Sequence, residues 1–339
     1  MPSRPPRILR PTSTNLHRLA AVLRRGGIVG VPSETVYGLA ANALDAEACA
    51  GIFRAKGRPS TDPLIVHLAS ARDLGEIAEI NEAALKLADA CWPGPLTIVL
   101  PKKHSVPDLV TAGKSTVAVR VPAHPLFRRL IRLAGTPLAA PSANPFGYIS
   151  PTSAAHVRDG LANTELRSVL DGGDCSVGVE STILDLTKPQ TPRLLRPGGL
   201  PVEIIERILG CVVIQPKKPH RVPAGVAAIA PGMLSRHYSP RTPLRLHRVI
   251  SAETIHSLPA NEAILLLREP SRSISKDSRV HWLSQRGELP RIARALFTKL
   301  RELDLTGWSK IHVEYPSGNE SLAPAIRDRL SRAAVRTSD

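Results

Sequence analysis

Two cations flank a glycine in Lys56-Gly57-Arg58-Pro59, and Asp62 and Pro63 follow before the apolar run Leu64 to Leu68, which contains His67. A lysine and an arginine on a loop stiffened by glycine and proline suit a polyphosphate clamp. The same pair just past a helix end also complements the helix dipole, and the local sequence leaves both readings open. Pro32 to Leu39 (PSETVYGL) carries a cluster of hydroxyls after the run Ile28 to Val31, where a sheet presents a binding loop. A Ser-Glu-Thr turn serves equally as a helix N-cap. Pro141-Ser142-Ala143-Asn144 and then Ser150-Pro151-Thr152 place hydroxyls and an amide after the run Pro137 to Ala140. These suit phosphate or ribose contacts, or an ST turn ahead of a helix. Last come Gly178-Val179-Glu180-Ser181-Thr182, Arg193 and Leu195-Arg196-Pro197-Gly198-Gly199. A buried arginine needs a partner, so Arg196 beside a glycine pair is a candidate anion contact.

Several familiar sites are absent. Gly113-Lys114-Ser115-Thr116 looks like the tail of a P-loop, but Asp108 stands where the leading glycine belongs and a β run, Val117 to Val121, follows in place of a helix. No GxGxxG, GxSxG or HExxH occurs. Cys49, Cys91, Cys175 and Cys211 are far apart with no CxxC, which speaks against a zinc ribbon or a disulfide framework and for ordinary thiols.

The elements that must position these groups alternate. Strand-like runs are Ile28 to Val31, Leu64 to Leu68, Thr97 to Leu100, Val117 to Val121, Pro137 to Ala140, Val169 to Asp171, Ser181 to Leu186 and Arg193 to Arg196. Helical periodicity covers 14 to 25, Asp45 to Ala55, Ala71 to Trp92, Pro125 to Ala134, Thr152 to Leu161 and Val202 to Leu209. Some neighbouring strands have no helix between them, so an open, twisted, mixed sheet is expected. Residues 211–243 hold six prolines and read as a linker, after which strands at Leu244 to Val249, Ala263 to Leu267 and Ile311 to Tyr315 alternate with helices Leu289 to Leu303 and Leu322 to Ala334. That pattern predicts a small three-layer, Rossmann-like α/β domain. The expected organisation is a tail over 1–13, a first domain over 14–210, the linker over 211–243 and a second domain over 244–339.

Composition sets the bounds. With 339 residues, 42% hydrophobic and 22% charged, the chain can bury a proper core, and no run approaches the roughly 18 apolar residues of a membrane span. The Pro- and Arg-rich start resembles neither a secretory signal nor a transit helix, so the cytoplasm is the default compartment. A net charge of +16 invites a polyanionic partner. The aromatic content of 3% leaves little to stack single-stranded bases on, and the basic excess is spread along the chain.

Taken together, PSETVYGLA, KGRP, PLIVH, CWPGPLTIVL, VAVRVPAHP, PLAAPSAN, SPT, VGVESTILDL and LLRPGG, in this order, resemble the YrdC-family threonylcarbamoyl-AMP synthases over about residues 14–208. Pro231-Gly232-Met233, His237-Tyr238-Ser239-Pro240 and Ala325 to Leu330 look like the long two-domain form of that family. One departure is Pro145-Phe146-Gly147 after Asn144, where the family leads one to expect a small hydroxyl residue before the glycine.

The resemblance implies an ATP-dependent nucleotidyltransferase that joins L-threonine, bicarbonate and ATP into threonylcarbamoyl-AMP and releases pyrophosphate. The product would pass to a transferase complex that modifies tRNA next to the anticodon, with weak direct tRNA contact left open. By similarity, Thr35, His67, Arg120 and Ser181 would hold threonine, with Arg120 on its carboxylate, although a satisfied histidine on a buried strand also accounts for His67. Arg58, Asp62, Thr116, Ala140, Ser142, Ser150, Arg196 and Tyr238 would hold ATP, and Lys56 and Asn144 would join Arg58 and Ser142 in the catalytic group. Mg2+ is expected on the triphosphate with no dedicated protein site. No motif joins His67 and Ser142 to an acid as a triad, and the chemistry needs no acyl-enzyme. Arg58 is expected on an exposed loop, and residues 211–243 as a lid that brings Tyr238 to the nucleotide. The alternatives are an RNA-binding module without catalysis and a carbamoyltransferase of hydrogenase maturation, although the acylphosphatase segment and CxxC zinc motifs of the latter are lacking.

Overall fold

The computed structural model describes residues 5–215, 229–230 and 238–334. Residues 7–9, expected within a tail, form β1 (Arg7–Leu9), which pairs in parallel with β8 (Ser168–Leu170). Between them run α1 (Ser13–Arg24), β2 (Val29–Val31), β3 (Gly38–Asn42), α2 (Ala46–Lys56) and β4 (Ile65–His67). A 3-10 turn (Ala71–Glu76), α3 (Glu82–Cys91), β5 (Leu96–Pro101), α4 (Asp108–Thr111) and β6 (Thr116–Arg120) follow. Then come α5 (Pro125–Ala134), β7 (Leu138–Ala139) and α6 (Ala154–Gly160); after β8 the first domain closes with β9 (Thr182–Asp185), β10 (Arg193–Arg196) and α7 (Val202–Leu209).

The ten strands make one mixed sheet in the order β1-β8-β2-β3-β7-β4-β6-β5-β9-β10. Helix starts follow local chemistry: the side chains of Thr12, Asp45, Asn81 and Ser153 each accept an N–H from the first turn of the helix they precede. The single helix expected over Ala71 to Trp92 is two pieces. Ser70 and Asp73 form a capping box at the 3-10 turn, and Asn81 restarts the chain as α3. The Ser-Glu-Thr segment caps no helix and is a turn that feeds β3: Ser33 Oγ accepts the N–H groups of Thr35 and Val36 at 3.2 Å.

The second domain contains β11 (Leu244–His247), α8 (Ala252–Ser257), β12 (Glu262–Arg268), β13 (Val280–Ser284), α9 (Leu289–Leu305), β14 (Lys310–Glu314) and α10 (Ala323–Ala333). Its strands form a four-stranded parallel sheet, β11-β14-β12-β13. Along β12, Ala263 and Leu265 pack with α9 and α10, while Ile264 and Leu266 pack with Ile255 of α8. Alternate residues thus bury both faces, as a three-layer α/β unit requires. The α9 side also packs onto the first domain, because Val36, Ile149 and Val179 belong to the same apolar cluster. No described helix is long and apolar enough to cross a membrane.

Candidate active site

Strand register sets the first two groups side by side. The parallel strands β4 and β6 end in partnered positions, His67 opposite Arg120, and both side chains face one open cavity. Ser181, one residue before β9, joins them; its Oγ lies 2.7 Å from the Thr97 hydroxyl of β5 and accepts from Arg196 Nη2 at 3.2 Å. Arg196, the last residue of β10, also donates from Nη2 to the Ser181 carbonyl at 2.9 Å. This packing requires Gly198, since a Cβ there would sit 2.3 Å from backbone atoms of Ser181 and Thr182. Thr35 completes this side of the cavity, with Oγ1 accepting from Arg120 Nη1 at 3.0 Å.

Arg58, Ala140, Ser142 and Tyr238 line the same cavity. The Pro141–Asn144 loop is held from two directions. Ala143 N donates to Tyr37 O at 2.8 Å, and Lys56 Nζ donates to the carbonyls of Ser142 and Asn144, both at 2.5 Å. Lys56 therefore acts across the fold rather than on the α2 dipole alone. Burial, aided by Arg58, pushes its pKa well down against the pull of Asp62. Asn144 Nδ2 donates to Pro145 O and Tyr148 O, which fixes the Pro145-Phe146-Gly147 turn, and Gly147 O then receives Ser239 N at 2.8 Å.

Tyr238 is buried, with its ring 5.6 Å from Phe297 of α9. Of the expected lid, residues 216–228 and 231–237 lie outside the described residues. Ala230 packs with Ile65, Val99 and Ala118 of the first domain.

Charge at the site is paired. Arg120 Nη2 meets Glu34 at 2.5 Å, and Arg58 Nη2 meets Asp62 at 3.0 Å. Arg58 is 6% exposed and donates to the Asp62 and Pro63 carbonyls, so the expected exposed loop arginine is in fact a buried one. Burial raises the Glu34 carboxyl, but Arg120 and backbone hydrogen bonds, that of Ala123 among them, together hold the group below its ordinary value. His67 is pushed down to about 3 by burial and by Arg120, so the ring is neutral; its Nδ1 lies 3.1 Å from Ile65 O and the ring 5.1 Å from Phe127. It is thus both a satisfied strand histidine and part of the cavity wall.

Eight of the sequence-derived candidates face this cavity directly besides Ala140: Thr35, Arg58, His67, Arg120, Ser142, Ser181, Arg196 and Tyr238. Asp62 and Ser150 stand behind it, through Arg58 and through Glu180 respectively. Lys56 and Asn144 brace the loop that carries Ser142. Thr116, at the start of β6 opposite Pro101, is not in the wall. Sequence reasoning gave no role to Glu34, Thr97, Phe127 or Glu180. Glu34 and Glu180 lie inside the motifs, and a buried arginine nearby was the signal that each needed an acid.

A mixed α/β domain that concentrates arginine, hydroxyl and backbone donors in one cavity, with a second α/β domain packed against it, defines a nucleotidyltransferase-type enzyme. The family model described as "Telomere recombination", for Sua5, YciO and YrdC proteins, matches residues 21–198, and that described as "Threonylcarbamoyl-AMP synthase, C-terminal domain" matches 200–335. The threonylcarbamoyl-AMP synthase of Pyrococcus abyssi is 43% identical over 323 residues, covering 93% of this chain and 92% of the relative. That of Bacillus subtilis is 38% identical, covering 95% and 94%. The crystal structure of P. abyssi Sua5 complexed with L-threonine superposes with a TM-score of 0.86 at 41% identity, covering 95% of both chains. The chain belongs to the threonylcarbamoyl-AMP synthase family, in its two-domain form. Neither a non-catalytic RNA-binding module nor a hydrogenase-maturation carbamoyltransferase is favoured by these relatives.

Proposed function

We propose that this protein condenses L-threonine, bicarbonate and ATP into threonylcarbamoyl-AMP and pyrophosphate, for modification of tRNA next to the anticodon. The observation that carries the reading is the single cavity shared by Thr35, His67, Arg120 and Ser181 on one side and Arg58, Ser142, Arg196 and Tyr238 on the other. Bicarbonate takes up a proton and yields CO2 and water; threonine's neutral amine adds the CO2 and releases a proton to become a carbamate, and a carbamate oxygen then attacks the α-phosphorus while the bond to pyrophosphate breaks. Both partners are anionic, so catalysis needs donors at the phosphates more than a covalent nucleophile.

In this reading Arg120 receives the threonine carboxylate. Three of its N–H groups already serve Gly94 O, Thr35 and Glu34, which orients the guanidinium and leaves part of its fork for the substrate. Neutral His67 and the Ser181 hydroxyl face the rest of the amino acid. Arg58, Ser142 and Arg196 serve the nucleotide, and Lys56 and Asn144 support them by fixing the Ser142 loop. Asp62 and Ser150 act one layer behind, while Ala140 lets the nucleotide approach the strand end. Among the described residues no group of three His, Cys, Asp or Glu side chains comes together, and Glu34, Asp62 and Glu180 each face an arginine. Mg2+ would arrive on the triphosphate, held largely by phosphate oxygens and water. The product would go to a tRNA-modifying transferase.

The test is pyrophosphate release from ATP. It should require threonine and bicarbonate together, with serine a poor substitute. Release with ATP alone, or with any amino acid equally, would sink the synthase reading.

A further inference from the structure

One guanidinium reaches the site from the other domain. Arg329 of α10 is 1% exposed, and its Nε donates to Glu180 Oε2 at 2.6 Å. Glu180 takes the Ser150 hydroxyl on its other oxygen at 2.5 Å and forms part of the cavity wall. On α10 itself, Arg329 Nη1 meets Asp328 at 2.6 Å, and Asp328 holds Arg332 Nε at 2.9 Å. The Tyr238 ring lies 5.1 Å from the Arg329 guanidinium carbon.

Charge balance gives this contact its meaning. Arg58 and Arg120 each pair with an acid of the first domain. Glu180 lies near Arg196, and its counter-charge comes from the second domain. Without Arg329 the buried Glu180 carboxylate loses its second-domain counter-charge, and its field falls on Arg196 in a medium of low dielectric.

We propose that Arg329 is a positioning residue supplied by the second domain, which pairs with Glu180, fixes the Ser150 hydroxyl and keeps the charge of Arg196 directed at an anionic group in the cavity. The inference rests on the nucleotide reading above. It gives the second domain a part in the site: the ATP pocket is electrostatically complete only when the two domains are docked. Burial works to raise the Glu180 carboxyl, and Arg329 and Arg196 together hold it below its ordinary value, consistent with a carboxylate shared between them.

Equilibrium binding of ATP to the full-length protein, measured by calorimetry apart from turnover, tests the proposal. Arg329→Met should weaken ATP binding roughly tenfold or more, a part of the cost of breaking a buried charge pair, with threonine affinity little changed. Adding Glu180→Gln to that variant removes the uncompensated carboxylate and should recover most of the loss, whereas lost packing would not be recovered. Arg329→Lys should fall between; if Arg329→Met does not fold, Arg329→Lys with and without Glu180→Gln gives the same comparison. Unchanged ATP affinity, or an equal loss in both Glu180 backgrounds, overturns the proposal. A wild-type protein that binds ATP without threonine-dependent pyrophosphate release would end the synthase reading and leave this one standing. A wild-type protein that binds no ATP would end both.

Discussion

Removing the Arg58 guanidinium would take from Asp62 a charge partner 3.0 Å away, at a site where the carboxylate is fully buried. Breaking a buried pair from one side costs about 3–5 kcal/mol because the remaining charge has no water to turn to. Arg58→Ala should therefore lower folding stability by about that amount, measured by urea unfolding, in addition to about 2–4 kcal/mol of transition-state stabilisation. Adding Asp62→Asn should return much of the stability and little of the activity. A variant as stable as wild type would mean that the pair is solvated. The residue types of the site were legible in the sequence, because phosphate chemistry needs cations and hydroxyls on strand-end loops. The pairings Arg120 with Glu34 and Arg58 with Asp62 were not, since a motif shows which groups are present and not which of them neutralise each other. That is also why Arg58 reads as an exposed clamp in sequence and is a buried ion pair in the fold.

At the scale of elements, the sequence was legible wherever apolar period and caps agreed. Helices α1, α2 and α5 lie within a residue or two of their expected spans. Strand β3, GLAAN, escaped notice because it has no β-branched or aromatic residue, and β13, VHWLS, because His281 and Ser284 interrupt its apolar run. The contact between Gly178 and α9 was invisible, because a glycine announces room without saying for what. Its φ is +81°, and a Cβ there would come within 2.4 Å of Arg294 Cα and 2.5 Å of Ala293 O. Backbone cannot yield as a side-chain tip can, so Gly178→Ala should cost about 2–4 kcal/mol and lower the melting temperature by several degrees. Gly57→Ala provides the control: φ is +62° with no atom within 4 Å of the added Cβ, so only about 1 kcal/mol of backbone strain applies. Equal effects of the two substitutions would show that α9 is not pressed against Gly178.

At the scale of the whole molecule, the second domain covers groups that the first cannot leave bare. Val36, Ile149 and Val179 share an apolar cluster with α9 and α10; Arg301 of α9 donates to the Ile149 and Ser150 carbonyls; and Tyr148 donates to Asp304 at 2.7 Å. A linker acting alone as a lid would let a chain ending after Tyr238 outperform one ending at Gly210. The packing argues otherwise. Tyr238 has a φ of +64°, a backbone region that costs a non-glycine residue about 1 kcal/mol, and its ring is held by Phe297 and Arg329. Both of these ring contacts belong to the second domain, so Tyr238 on a cut chain loses them. Chains ending at 210 and at 243 should therefore be about equally impaired, and both should bind a hydrophobic dye that the full-length protein does not. Each re-exposed apolar side chain forfeits about 1.5–3 kcal/mol of burial, enough for two or three of them to erase much of a domain's marginal stability. If the chain ending at 243 kept pyrophosphate release near the full-length rate while the chain ending at 210 lost it, the linker would carry Tyr238 to the nucleotide without the second domain, and the docked interface would be needed for stability alone.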